Sequence, residues 1–155
     1  MDLSLPLDTE TFDAIRAAFF AHEVVFFRDQ HLTPDQQVAF TRRFGVLEQH
    51  VRKESRLDGY PEVLVISNIL DDSGVPIGSQ DAGRFWHSDL SYKQEPSLLS
   101  ALYAVEVPVQ GDRVLGDTLF ASGTAAYLTL SPDMLFPDPH TSRSRGGPTQ
   151  GGGRW

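Results

Sequence analysis

Apolar residues near the start of the chain recur at helical spacing. Between residues 8 and 21 the large apolar positions are Phe12, Ile15, Phe19 and Phe20. They share one broad face of a 3.6-residue helix. Asp8 and Thr9 are both suitable N-cap residues, because either side chain can accept a hydrogen bond from an exposed N–H of the first turn. The pattern predicts an amphipathic helix that packs on a sheet.

A second helix is predicted by its boundary signals. Thr33 is an N-cap candidate, Pro34 suits the first helical position, and Gln36 completes a capping box. Gly45, directly after Phe44, is a stop signal. These residues favour a helix that ends near residue 44.

The middle of the chain is rich in strand patterns. Short runs of β-branched and aromatic residues, bounded by turn residues, predict strands at Val24–Phe27, Glu62–Ile69, Arg84–Asp89, Ser97–Val107 and Gly116–Ser122. A turn is expected at residues 71–74, and a short helix at Ala125–Leu130, because the residue before Pro132 is driven out of the helical region. The expected core is aromatic and comprises Phe12, Phe19, Phe20, Phe26, Phe27, Phe40 and Phe44.

The last part of the chain has a different character. Residues 133–155 lose periodicity and are dominated by Pro, Gly, Ser and Arg, a composition that buries too little apolar surface to offset its ordering entropy. The expected organisation is one domain over residues 1–132 and a disordered tail over residues 133–155.

Composition and charge narrow the function classes. With 155 residues and 40% hydrophobic content the chain is typical of a soluble globular domain, and its net charge of −8 disfavours nucleic acid and anionic membranes as partners. The absence of cysteine excludes thiolate metal sites, disulfides and a cysteine nucleophile. Without a leader pattern or a long apolar span, the expected location is the cytoplasm.

One short segment carries candidate metal chemistry. His87 and Asp89 are two positions apart in a predicted strand, so their side chains point to the same face. An imidazole nitrogen and a carboxylate oxygen in this relation form two adjacent corners of a 2-His-1-carboxylate site. A His-x-Asp triplet is common by chance, so the spacing alone leaves a surface or hydrogen-bonded pair as the alternative.

Flanking motifs favour the metal site. The run WHSDLSY around His87 resembles the metal motif of the TauD/TfdA dioxygenases, and residues 22–45 resemble the N-terminal signature of the same family. Residues 97–108 and the GDTLF run at residues 116–120 resemble the elements that follow the motif. The resemblance covers residues 1–132.

The resemblance implies a fold and an activity. The fold is α+β, mostly β: a partial double-stranded β-helix, or cupin-like jelly roll, with N-terminal helices packed on the sheet. The implied activity is an Fe(II)- and 2-oxoglutarate-dependent dioxygenase that uses O2 to hydroxylate a small, anionic substrate, with release of succinate and CO2. A homo-oligomer is compatible with this interpretation.

The resemblance also assigns roles to individual residues. His87 and Asp89 correspond to two iron ligands, and Thr118 corresponds to the threonine that contacts the distal carboxylate of 2-oxoglutarate. His50 corresponds to a substrate-facing histidine, although the neighbouring substrate tyrosine is replaced by Lys53. The alternatives are an exposed loop histidine for His50 and an ordinary strand threonine for Thr118.

Two features of the family are missing from the resemblance. A second histidine ligand and an arginine for 2-oxoglutarate are expected much further along, but the only histidine after Asp89 is His140, in a segment without strand pattern. The arginines at positions 143, 145 and 154 lie in the same segment. The open alternatives are therefore an inactive fragment of such an enzyme and a non-enzymatic, cupin-like metal-binding module.

Overall fold

The computed structural model describes residues 1–80 and 82–135. Its helices and strands are α1 (Thr9–His22), α2 (Pro34–Arg42), a 3-10 turn (Lys53–Ser55), β1 (Arg56–Leu57), β2 (Tyr60–Leu64), β3 (Val109–Gln110), β4 (Arg113–Val114), α3 (Gly123–Leu128) and α4 (Pro132–Leu135). The chain divides into two compact units, residues 1–115 and residues 116–155.

Helix α1 begins where the sequence predicts it. The side chain of Asp8 accepts a hydrogen bond of 2.7 Å from the backbone N–H of Thr11, so Asp8, rather than Thr9, is the N-cap. This hydrogen bond to the charged form lowers the pKa of the Asp8 carboxyl below its usual range. The helix ends at Glu23, which adopts a left-handed conformation (φ 65°) and donates its N–H to the Phe19 carbonyl.

Helix α2 confirms the predicted capping box. The hydroxyl oxygen of Thr33 accepts the Gln36 backbone N–H at 3.3 Å, and Gln36 Oε1 accepts the Thr33 N–H at 2.8 Å. Pro34 occupies the first helical position, where no N–H is needed. The helix ends at Arg42, two residues before the predicted Phe44.

An aromatic cluster joins the two helices. Phe12 of α1 packs edge to face against Phe44 and Phe40, with ring centroids 4.8 and 6.5 Å apart, a favoured aromatic geometry. Phe27 packs against Phe40 in the same way. Only Phe12 of the predicted aromatic core is fully buried, at 6% exposure. The assignment of Phe20 and Phe26 to the core was wrong, since both are largely exposed.

Strands β1 and β2 form an antiparallel hairpin around the Asp58-Gly59 turn. Gly59 has φ 77°, a conformation that an Asp-Gly turn requires and that glycine adopts without strain. The ion pair between Arg42 and Glu62, 3.1 Å long, joins α2 to β2. The predicted strand at Glu62–Ile69 is thus confirmed over its first residues, although it begins earlier, at Tyr60, and ends at Leu64.

A second small hairpin lies shortly before the GDTLF run. Strands β3 and β4 pair antiparallel around Gly111 (φ 61°) and Asp112. The Leu115 N–H extends the pairing by donating to the Pro108 carbonyl at 2.9 Å. Gly111 and Asp112 therefore form a two-residue turn.

Four predicted strands are absent from the part of the chain that the structure describes. Residues 24–27, 84–89, 97–107 and 116–122 have no strand hydrogen bonding. A strand is stabilised by its neighbour, so an apolar run without a paired partner stays extended or irregular. The architecture is helices with two small antiparallel sheets, and this is the part of the predicted α+β fold that is observed.

The second unit contains short helices. Helix α3 begins after Ser122, whose hydroxyl accepts the Ala125 N–H at 3.0 Å. It ends at Leu128, so the predicted helix at Ala125–Leu130 exists but is shifted towards the N-terminus. Of the predicted tail, only residues 133–135 are described, and they belong to α4. Residues 136–155 lie outside the described part.

Within residues 1–80 and 82–135, no helix has both the length and the apolar character needed to cross a membrane.

Substitution of Phe12 tests the aromatic cluster. Phe12→Ala should lower the free energy of unfolding by about 3–5 kcal/mol, because it removes a buried ring and leaves a cavity. Phe26→Ala is the matched control and should cost less than about 1 kcal/mol, because that ring is 73% exposed. Urea unfolding followed by circular dichroism measures both changes. Equal losses for the two variants would contradict the assigned core.

The Asp8 cap predicts a pH dependence. Its folded-state pKa is lowered, so its contribution to stability is present above the unfolded pKa of about 3.9 and is lost as the pH falls through the folded value. Asp8→Asn keeps a capping oxygen but removes the charge. The stability difference between wild type and Asp8→Asn should therefore shrink at low pH in thermal melts from pH 7 to pH 2. A difference that does not vary with pH would show that the carboxylate charge is irrelevant.

Candidate metal site

The segment that carries His87 and Asp89 is irregular and is not a strand. Residues 86–88 have no regular structure, and a turn begins at Asp89, so the predicted strand at Arg84–Asp89 was wrong. The predicted convergence of the two side chains is nevertheless observed. His87 Nε2 lies 3.2 Å from Asp89 Oδ1.

A hydrogen bond of the other ring nitrogen determines which atom His87 presents. Nδ1 of His87 lies 2.7 Å from the Phe85 carbonyl oxygen. A carbonyl can only accept, so Nδ1 carries a proton and Nε2 of the neutral ring has a free lone pair. This lone pair is directed towards a carboxylate oxygen, an arrangement that requires a positive charge between the two atoms. A proton on Nε2 or a bound metal ion satisfies that requirement.

The second oxygen of Asp89 has its own partner. Ser100 donates its hydroxyl to Oδ2 of Asp89, which leaves Oδ1 on the side of His87. Ser100 was not among the predicted site residues. Its only sequence signal is a hydroxyl within the apolar run Leu98 to Leu102.

The spacing of the two donor atoms fits one metal ion. Two ligands at right angles, each about 2.1 Å from an ion, lie about 3.0 Å apart. The observed 3.2 Å between His87 Nε2 and Asp89 Oδ1 agrees with adjacent positions on one ion. Across the described residues, no group of three or more His, Cys, Asp or Glu side chains is arranged for metal binding. The structure thus supplies a two-donor site.

The surroundings of this pair are open to solvent. The side chains of His87 and Asp89 are 52% and 53% exposed. The neighbouring Phe85 and Trp86 are 78% and 71% exposed, so these two aromatic side chains do not enclose the ligands in the described part of the chain. The guanidinium of Arg84 lies 5.9 Å from the centre of the Phe85 ring.

The turn after Asp89 is fixed at two points. Leu90 has φ 50°, a left-handed conformation that is costly for a bulky side chain and is found preferentially at functional sites. Lys93 donates its N–H to the Leu90 carbonyl at 2.9 Å. Its ammonium lies 2.7 Å from Glu48, which connects this turn to the segment after α2.

His50 lies in the loop before the 3-10 turn and is half-buried. Its Nδ1 accepts the Arg52 backbone N–H at 3.2 Å, so the neutral ring carries its proton on Nε2. Its carbonyl oxygen accepts hydrogen bonds from Nε and Nη2 of Arg56. His50 is therefore held by its own loop, with Nε2 as a hydrogen-bond donor.

The remaining predicted site residue belongs to the other unit. Thr118 lies in residues 116–155, whereas His50, His87 and Asp89 lie in residues 1–115. Position 118 is described as irregular rather than as strand. His140 and the arginines at positions 143, 145 and 154 lie outside the described residues.

Comparison with known proteins shows the family. The model of the taurine catabolism dioxygenase TauD, TfdA family matches residues 1–135, a range that includes the His87 and Asp89 pair. The chain belongs to this family.

Several curated enzymes are similar to this chain in sequence. Pentalenolactone F synthase of Streptomyces avermitilis is 38% identical over 151 residues, which cover 93% of this chain and 46% of the relative. An alpha-ketoglutarate-dependent 2,4-dichlorophenoxyacetate dioxygenase of Cupriavidus pinatubonensis is 38% identical over 72% of this chain and 40% of its own length. An (S)-phenoxypropionate/alpha-ketoglutarate-dioxygenase of Sphingobium herbicidovorans is 32% identical over 77% of this chain and 39% of its own length.

The chain spans less than half the length of these relatives. No solved structure matches it significantly.

The Lys93–Glu48 contact tests how firmly the turn after Asp89 is held. Both groups are at least one-third exposed, so solvent screens their attraction and the pair should contribute about 0.5 kcal/mol or less. A double-mutant cycle with Lys93→Met and Glu48→Gln measures the coupling energy, which should decrease further in 1 M salt. A coupling above about 2 kcal/mol, or one insensitive to salt, would indicate a pair that is shielded from water.

Proposed function

We propose that this chain provides the iron-binding segment of an Fe(II)- and 2-oxoglutarate-dependent dioxygenase. The observation that supports this most directly is the convergence of His87 Nε2 and Asp89 Oδ1 at 3.2 Å, within a chain that belongs to the TauD, TfdA family. Two of the relatives are named as alpha-ketoglutarate-dependent dioxygenases. The proposed reaction hydroxylates a small organic substrate with O2 and converts 2-oxoglutarate to succinate and CO2.

His87 and Asp89 would hold Fe(II) through one nitrogen and one oxygen. The imidazole is suited to this because the Phe85 carbonyl fixes its tautomer. When bound, the ferrous ion and 2-oxoglutarate supply the oxygen chemistry, and the protein contributes binding and orientation. Thr118 is proposed to donate its hydroxyl to the distal carboxylate of 2-oxoglutarate, a charge-assisted hydrogen bond.

An anionic substrate is proposed from the groups around His50. The loop leaves Nε2 of His50 as a hydrogen-bond donor, and the cationic residues Arg52 and Arg56 follow two and six positions along the chain. The hydrogen bonds described for these guanidinium groups go to neutral oxygens, the hydroxyl of Ser79 and the carbonyl of His50. These two guanidinium groups are proposed to attract a carboxylate or sulfonate. Two relatives are named for aryloxy carboxylic acids, 2,4-dichlorophenoxyacetate and phenoxypropionate.

A second candidate applies to the 155-residue polypeptide by itself. Because the described part offers two metal donors and no third His, Cys, Asp or Glu beside them, the chain alone would bind a metal ion weakly and without turnover. In that case it is an inactive fragment or a metal-binding module. Measurement of succinate production distinguishes these two from an active enzyme.

An anaerobic titration tests the iron site. Fe(II) and 2-oxoglutarate added together should produce the weak visible charge-transfer band of the iron chelate. Both His87→Ala and Asp89→Ala should abolish this band, because each removes one of the two donors. His31→Ala, which alters an exposed histidine of the same unit, should leave it unchanged.

The result that would overturn the ligand assignment is a band that persists in His87→Ala. If the band forms in the wild-type chain but no succinate accumulates in air, the metal site is correct and the second candidate is favoured.

A further inference from the structure

We propose that Ser100 is a positioning residue for the metal site. Its hydroxyl holds the Asp89 carboxylate in the orientation that presents one oxygen beside His87 Nε2. This inference rests on the proposed function, since it concerns how the same two ligands are oriented. Ser100 itself would not touch the metal ion.

The hydrogen bond between Ser100 and Asp89 has a defined direction. An ionised carboxylate only accepts hydrogen bonds, so the proton shared by Ser100 and Asp89 is donated by the serine hydroxyl. It is directed to Oδ2, whereas Oδ1 is the oxygen 3.2 Å from His87 Nε2. The two oxygens of one carboxylate thus have separate partners.

This hydrogen bond restricts rotation of the Asp89 carboxylate. The terminal torsion of an aspartate side chain is broad and roughly two-fold, so an unrestrained carboxylate rotates easily. Asp89 is 53% exposed, and close packing does not restrict it. The Ser100 hydroxyl is therefore the principal restraint described for the orientation of this carboxylate.

The segment that carries Ser100 is anchored through Tyr103. Three residues further on, the Tyr103 hydroxyl accepts the Leu32 N–H at 3.0 Å and donates to the Gln30 carbonyl at 3.3 Å. Gln30 also accepts the Leu3 N–H at 2.8 Å through its side chain. These contacts connect the Ser100 segment to the N-terminal part of the first unit. Ser100 can therefore act as a fixed point for Asp89.

The consequence is a defined binding mode for the carboxylate. With Oδ2 held by Ser100, Asp89 offers a single oxygen to the metal ion. A carboxylate that binds through both oxygens would occupy one more position of the ion, at the expense of the cosubstrate or O2. Partners that orient metal ligands in this way typically change metal affinity by about 10- to 100-fold.

A pair of isosteric substitutions separates the hydroxyl from the shape of the side chain. Ser100→Thr keeps the hydroxyl donor, whereas Ser100→Val has the shape of threonine without the hydroxyl. Because Ser100 is exposed, the additional methyl group has space. Ser97→Ala is the control, because it removes a hydroxyl from the same segment without a described contact to Asp89. Ser100→Ala removes the donor without adding volume. Circular dichroism confirms that each variant is folded.

The probe is Co(II), whose visible absorption reports both affinity and coordination number in the full 155-residue chain. Ser100→Val and Ser100→Ala should bind Co(II) about 10- to 100-fold more weakly and with an altered absorption spectrum. Ser100→Thr should bind within about 3-fold of wild type and retain its spectrum, and Ser97→Ala should match wild type. Rescue by threonine is the result that a purely structural role would not produce.

Equal affinities and spectra for Ser100→Thr and Ser100→Val would overturn the inference. The proposed function is tested separately in the same series by His87→Ala. If His87→Ala loses Co(II) while all Ser100 variants bind normally, the metal site stands and the positioning role is rejected. If His87→Ala binds as well as wild type, both proposals are rejected.

Discussion

The lone pair on Nε2 of His87 faces an oxygen of the Asp89 carboxylate, and no other contact in the described chain requires a positive charge so directly. These two electron-rich atoms, 3.2 Å apart, repel each other unless a proton or a metal ion lies between them. The Phe85 carbonyl enforces this arrangement from one side, because it accepts a hydrogen bond from Nδ1–H and so leaves Nε2 without a proton in the neutral ring. Ser100 enforces it from the other side. The chemistry of the site follows from this constraint.

The sequence predicted the local features of the fold well. The Asp8 cap, the Thr33 and Gln36 capping box and the helix after Ser122 depend on residues within four positions of each other, so their hydrogen bonds are encoded by short motifs. The strands were predicted poorly because strand pairing depends on distant segments. Residues 97–107 have the apolar content of a strand but no ladder partner among the described residues, and they are held instead by contacts such as that of Tyr103 with Leu32.

The candidate site shows the same division between local and distant effects. The convergence of His87 and Asp89 was predicted from their spacing of two positions, and it is observed although the segment is not a strand. The role of Ser100 was not predictable from spacing, because Ser100 and Asp89 are eleven positions apart and meet only through the folding of the intervening turn. That turn passes through Leu90 in a left-handed conformation, which no local motif indicates. The Asp58-Gly59 hairpin, in contrast, had a recognisable turn signal that the strand analysis overlooked.

These observations separate two contributions to metal binding. The metal-binding atoms are oriented by two hydrogen bonds, from His87 Nδ1 to the Phe85 carbonyl and from the Ser100 hydroxyl to Asp89, and this orientation exists while both ligands are about half exposed. Desolvation is a different contribution, which depends on apolar groups covering the ligands, and Phe85 and Trp86 beside them are still largely exposed. Preorganised donors reduce the entropy lost on binding, whereas a dry environment strengthens the attraction between ion and ligand. The geometry of this site therefore does not depend on burial of its ligands, and substitution at Ser100 tests the orientation of the metal-binding atoms by itself.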